Sequence, residues 1–111
     1  MKKFLTFSLI LLTGTAISSF AADAESIWTS QCKKCHGVDG SGDTKMGKKL
    51  HIKDYTKAEI QAEFTDEEAF TIIKEGKKDD KGKTRMKPVK EVTDEEINAL
   101  VKYVRGLQKC D

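Results

Sequence analysis

Residues 32–36 read Cys32-Lys33-Lys34-Cys35-His36, a C-x-x-C-H pattern. Two thiols three positions apart can each bond one vinyl group of a single porphyrin, and the histidine that follows can reach its iron with a ring nitrogen. Competing uses of the pattern lack their other parts. A structural zinc site needs a second Cys/His pair at set spacing, whereas Cys110 and His51 stand alone. A thioredoxin-like redox motif belongs in a β-α-β context, and no such context is visible. The pattern therefore predicts one haem c per chain, attached covalently through Cys32 and Cys35, with His36 as the proximal iron ligand.

The surrounding sequence fits a helix from Asp23 to Cys35. Trp28, Cys32 and Cys35 fall at i, i+4 and i+7, so one face carries the indole and both thiols, and Ile27 widens it. Gly37 is placed to stop the helix. Further upstream, Lys2 and Lys3 precede an uncharged apolar run, Phe4 to Ile17, and small residues follow at Ser18, Ser19, Ala21 and Ala22. This is the layout of a secretory signal peptide, and the apolar run falls short of the ~20 residues that span a bilayer. The expected division is a cleaved leader at 1–21 and one domain at 22–111. Cleavage after Ala22 or Ala24 also satisfies the small-residue rule, and an uncleaved anchor is the competing reading. The cut after Ala21 leaves Asp23 to cap the first helix.

The full chain of 111 residues carries 20 Lys plus Arg and 18 Asp plus Glu, a net charge of +2. Removing Lys2 and Lys3 brings the mature domain to zero, so overall charge points to no nucleic acid. A domain of about 90 residues with so many charges is marginal unaided, and a porphyrin supplies the apolar mass to fold around.

Downstream, Val38 to Lys49 reads as a loop, because Asp39-Gly40-Ser41-Gly42-Asp43 holds no regular structure. Asp54 to Glu63 reads as a short helix with Ile60 and Phe64 inward. Thr65-Asp66-Glu67-Glu68 is a capping box opening a helix that ends at Gly76. Lys77 to Val92 is a polar loop long enough to suggest a function of its own. Thr93-Asp94-Glu95-Glu96 repeats the capping box. Ile97, Leu100, Val101 and Val104 then recur at helical spacing to about Gly106, with Tyr103 beside them. No stretch alternates at period two, so the domain is expected to be all-α, with about four short helices wrapped around the haem.

The sixth iron position separates function classes. Filled by a side chain, it favours electron transfer; open, it permits ligand binding or peroxide chemistry. Met46, ten residues after His36, has a tight path to the far face of the porphyrin. Met86, fifty residues after it, has chain enough to wrap round, and Pro88 stiffens its neighbourhood. Its neighbours Lys83, Arg85 and Lys87 make packing a poor account of an isolated thioether. Met86 is the expected distal ligand, ahead of Met46 and His51.

With these residues in view, the chain resembles the class I, single-haem cytochrome c family of small bacterial periplasmic electron carriers over roughly Ala22 to Lys109. Cys32, Cys35 and His36 match the family's attachment motif. Gly47-x-x-Leu50 resembles its Gly-Pro-x-Leu segment, with Lys48 where the family has a proline whose carbonyl holds the ligand histidine. Met86-Lys87-Pro88 resembles its axial Met followed closely by Pro. The resemblance implies a cytochrome c fold in which the first and last helices cross, with Trp28 and Tyr103 an aromatic pair at the contact. It implies an exported electron carrier rather than an enzyme, with His36/Met86 ligation and donor and acceptor proteins as partners. The alternative class is a haem c protein with a labile or open sixth site, acting as a ligand binder or peroxidase-like enzyme.

Lys77, Lys78, Lys81, Lys83, Arg85, Lys87 and Lys90 cluster around Met86, and Lys33 and Lys34 sit inside the attachment motif. This distribution suggests acidic docking surfaces on the partners, against the plainer reading of a solvated face that Asp79 and Asp80 favour. No stable membrane insertion is expected after cleavage. Cys110, left over from haem attachment, is either a free thiol or an intermolecular disulfide. A disulfide dimer predicts a band of doubled mass on non-reducing electrophoresis that reductant collapses; a free thiol predicts one band under both conditions.

Overall fold

The computed structural model of the protein describes residue 14 and residues 20–110. The expected leader lies outside the described residues except for residue 14 and its last two positions, which begin α1. Among the described residues, no helix is long and apolar enough to cross a membrane.

The last helix, α6 (Asp94–Gly106), carries the core. Its capping box closes in both directions: Thr93 Oγ1 accepts from Glu96 N at 3.2 Å, and Glu96 Oε1 accepts from Thr93 N at 3.0 Å. Three acidic side chains in its first turn face the positive end of the dipole. Ile97, Leu100, Val101 and Val104 are buried along one stripe, as their spacing predicts. Each contributes about 1.5–3 kcal/mol of burial.

The first helical run crosses that stripe. It comprises α1 (Phe20–Ile27), a π-helical turn (Trp28–Cys32) and α2 (Lys33–His36). Ala24, 1% exposed, packs with Ile97, Leu100 and Val101, and Ile27 flanks them. One turn on, the Trp28 and Tyr103 rings meet with centroids 5.4 Å apart, the aromatic pair expected at this crossing. Among the described residues the run starts at Phe20, which places Asp23 in its first turn. It is not one regular α-helix: Lys33 N reaches back five residues to Trp28 O. Such π turns are rare and recur at functional sites. Gly37 ends the run at φ 84°.

The stretch expected to be loop as far as Lys49 holds α3 (Lys45–Leu50). Thr44 caps it, its Oγ1 accepting from Gly47 N at 2.8 Å while donating to Cys35 O at 2.6 Å. A Cβ at Gly47 would strike Gly42 O, Cys35 O and Thr44 Oγ1, so only glycine lets this helix close on the end of α2. The next helix, α4 (Ala58–Gln61), is shorter than expected, and its buried residue is Gln61, with Ile60 and Phe64 half-buried. In α5 (Asp66–Glu75), Thr65 Oγ1 accepts from Glu68 N at 3.1 Å, and Ile73 is buried against α6. Glu68 does not return a bond to the Thr65 backbone, meeting its hydroxyl instead.

The polar loop after α5 contains a small antiparallel hairpin, β1 (Lys77–Lys78) and β2 (Thr84–Met86), pairing Lys77 with Met86 and Lys78 with Thr84. Asp79 shapes its turn, Oδ1 accepting from Lys81 N and Lys83 N at 3.0 and 2.9 Å. The all-α expectation otherwise stands.

A buried polar latch joins α4 and α5 to α6. Gln61 Nε2 donates to Tyr55 O at 2.7 Å and to Val104 O at 2.8 Å. Arg105 donates to Gln61 Oε1 at 3.1 Å, Phe64 O at 2.8 Å and Asp66 Oδ1 at 2.8 Å, and stacks 4.3 Å from the Phe64 centroid. Arg105→Ala strands these carbonyls and is expected to cost about 2–4 kcal/mol. Asp66→Ala removes only an exposed ion pair and is expected to cost less than about 1 kcal/mol. Urea-unfolding midpoints of the two variants check the ordering.

Candidate functional site

The crossing of α1 and α6 opens on one side into a cleft holding about 920 Å³ of space not filled by atoms, its open mouth included. Trp28, Cys32 and His36 line it from the first helical run, and Tyr55 and Phe64 from the segments around α4. Ile72, Ile73, Leu100 and Val104 add an aliphatic surface, and Met86 of β2 enters the same cleft. Lys53, Glu63, Glu68 and Lys77 bring charge to it, with Lys53 and Glu63 ion-paired to each other.

Local structure explains why the motif residues arrive here. Trp28 is 3% exposed and Cys32 7% exposed, both packed with Val104 and against Tyr103. The indole Nε1 donates to Gly37 O at 3.0 Å, tying the start of the motif helix to the residue after His36. Gly42 N donates to His36 O at 2.8 Å, so the backbone on both sides of the histidine is held. The imidazole lies between two aromatic rings, with centroids 5.6 Å from Trp28 and 5.5 Å from Tyr55. Cys35 is half-buried and free, as is the buried Cys32; no disulfide joins them.

Burial sets the protonation states. It pushes the Cys32 thiol up to about 11, with the neighbouring Cys35 adding to the effect, so the sulfur stays protonated at neutral pH. It holds the His36 imidazole below the usual histidine range, leaving a neutral ring with a free lone pair. It also raises Tyr55, which is therefore a neutral phenol. His36 Nδ1 is buried and makes no hydrogen bond. The Lys48 carbonyl, in the position where the family resemblance places the histidine's partner, accepts instead from His51 N at 3.4 Å.

Of the residues singled out in the sequence, Cys32, His36 and Met86 share the cleft, and Cys35 lies beside it on α2. The other distal candidates do not join them. Met46 lies half-buried in α3, and His51 is exposed in a left-handed conformation at φ 54°. Tyr55 is a cleft residue that sequence reasoning missed, as are Lys53 and Glu63; a lone Tyr in a polar stretch carries no periodic signal. An apolar cleft, two free thiols, a neutral imidazole with an unpaired buried nitrogen and a thioether together suit a porphyrin with a soft-ligated iron.

The comparisons agree. The family model for cytochrome c matches residues 21–108. Among solved structures, the KustC0563 c-type cytochrome is 38% identical, with a TM-score of 0.65 over 78% of this chain and 98% of that one. A tyrosine-to-phenylalanine mutant of Kustc0563 is likewise 38% identical, with a TM-score of 0.63 over 78% and 99%. No curated protein matches. The chain therefore belongs to the cytochrome c family: it is a haem-binding electron-transfer protein of mostly helical fold whose iron-containing haem c is covalently attached.

Proposed function

We propose that the protein is an exported single-electron carrier of the bacterial periplasm whose haem iron is held by His36 and Met86, and that it performs no bond-making reaction on a substrate. The observation that carries this reading is the meeting of His36 and Met86, fifty residues apart, in one apolar cleft.

The chain's residues divide the work. Cys32 and Cys35 would hold the haem, each through a thioether made by net addition of S–H across one vinyl group, which needs no oxidant. His36, neutral and braced between Trp28 and Tyr55, presents an imidazole nitrogen in a fixed orientation. Met86 supplies a neutral thioether. Bound haem contributes the Fe(III)/Fe(II) couple. With Met86 as its second protein ligand the iron would keep no open site for substrate, and a thioether would favour the reduced state relative to a second histidine.

Docking follows from the rim. Lys33 and Lys34 are exposed on α2, and Lys77, Lys78, Lys81, Lys83 and Lys87 on and around the hairpin. Asp79 and the exposed Asp80 lie among them, Asp79 accepting hydrogen bonds from Lys81 N and Lys83 N. These lysines suit donor and acceptor proteins with acidic docking surfaces. Cys110 is exposed, where a disulfide to a second copy is accessible.

Two outcomes are expected. The purified protein shows low-spin bands and a sulfur-to-iron transition; Met86→Ala loses that transition, becomes high-spin and binds carbon monoxide when reduced. An unchanged low-spin spectrum in Met86→Ala removes the ligand assignment. The association rate with an acidic redox partner falls by about tenfold between ~10 and ~150 mM salt, measured by stopped flow. A rate flat in salt removes the docking reading.

A further inference from the structure

Met86 lies in a segment with little core of its own. Lys87 and Pro88 are exposed, and Val89 is only half-buried. What fixes the segment is a set of hydrogen bonds to its backbone or from its one arginine. Arg85 Nη2 donates to Leu50 O at 2.8 Å. Val89 N donates to Ile73 O at 2.9 Å. A Cβ at Gly76 would collide with Met86 O and Pro88, so the end of α5 sits directly against the chain there.

The pairing of Lys77 with Met86 in the hairpin adds to these. The contact made by Gln31 is of another kind. Gln31 Nε2 donates to Lys90 O at 3.1 Å, and Gln31 Oε1 accepts from Lys90 N at 3.0 Å. One carboxamide satisfies both backbone groups of a residue 59 positions away, as a strand neighbour would. Gln31 itself is exposed. It is also the residue immediately before Cys32. The attachment helix and the Met86 segment are thereby joined directly, four residues beyond the thioether. An exposed glutamine whose carboxamide is aimed at one backbone position has the geometry of a positioning residue.

We propose that Gln31 is a positioning residue for Met86: its paired hydrogen bonds to Lys90 hold the 84–90 segment against the cleft and keep the sixth iron position closed to outside ligands. This rests on the reading of Met86 as distal ligand. An exogenous ligand enters only when the segment moves away, so its apparent affinity scales with the fraction of molecules in which the segment is released. Removing Gln31 raises that fraction without touching iron, His36 or Met86.

The experiment is imidazole titration of the oxidised holoprotein, followed by loss of the sulfur-to-iron transition, with urea unfolding run alongside. Gln31→Ala is expected to bind imidazole about tenfold more tightly, because two hydrogen bonds that oppose release are gone. Gln31→Glu keeps the acceptor for Lys90 N and loses the donor to Lys90 O, so its affinity falls between wild type and Gln31→Ala. Thr65→Ala, which weakens the cap of α5 away from this contact, lowers the urea midpoint and leaves imidazole affinity unchanged. Met86→Ala binds imidazole far more tightly than any of these. Wild-type affinity in both Gln31 variants, with tight binding by Met86→Ala, overturns the clamp and leaves the ligand assignment standing. Equal tightening in Thr65→Ala reduces the effect to global unfolding and also overturns the clamp. Wild-type affinity in Met86→Ala shows that the distal ligand is misassigned, and the clamp fails with it.

Discussion

The contact on which the cleft depends is the crossing of α1 over α6. Ala24 has a single methyl group, so the two helices approach closely at Ile97, Leu100 and Val101. One turn further on, the space has widened enough for Trp28 to lie against Tyr103. The indole is then committed on several sides at once: to Tyr103, to the His36 ring, and through Nε1 to Gly37 O. Once Trp28 is placed, neither Cys32 nor His36 retains much freedom. An aromatic pair of this kind contributes about 0.5–1.5 kcal/mol beyond its area. Its larger effect is positional, because it links the hydrophobic core to the attachment motif through one rigid side chain.

Apolar packing supplies the cleft's walls, but polar side chains decide where the connecting segments run. Thr44 joins α3 to Cys35, and Gln61 and Arg105 join α4 and the start of α5 to α6. Arg85 joins the hairpin to α3, and Gln31 joins the motif helix to Lys90. In each case a side chain meets a backbone carbonyl, so the bond fixes the path of the chain and not the identity of the residue it meets. A small domain cannot extend its core under every loop. Directional bonds to otherwise unpaired backbone groups are the alternative, and breaking one leaves a partner stranded.

This division also explains what was readable in the sequence. The core of α6 was legible because Ile97, Leu100, Val101 and Val104 obey a 3.6-residue period and Thr93 with Glu96 marks the start. The attachment motif was legible because its chemistry is rare at that spacing, and Met86 stood out as a thioether among charged neighbours before the structure brought it to the same cleft. The helix α3 was not, because a six-residue helix containing Gly47 forms through close approach to Cys35, which no local propensity expresses. The hairpin was hidden because Lys77, Lys78, Thr84 and Arg85 offer no alternation of polar with apolar. The π turn left no mark, since Trp28 and Cys32 share a face at i, i+4 in a regular α-helix too. The latches of Gln31, Gln61 and Arg105 were invisible because a polar residue on a helix reads as solvated until its distant partner is known.

The segment around Met86 shows why function draws on polar latches in this molecule. In the proposed reading Met86 is a ligand of the haem iron, and a one-electron carrier works best when its ligands stay in place through both oxidation states. Burying the segment under apolar side chains would hold it, but would also replace the exposed lysines that give the surface its charge. Backbone-directed hydrogen bonds from Arg85, Val89 and Gln31 avoid that conflict. They grip the chain from behind, leaving Lys87 and Lys90 exposed. The segment is thus ordered without being hydrophobic, and the lysines around the thioether stay exposed, as the proposed docking requires.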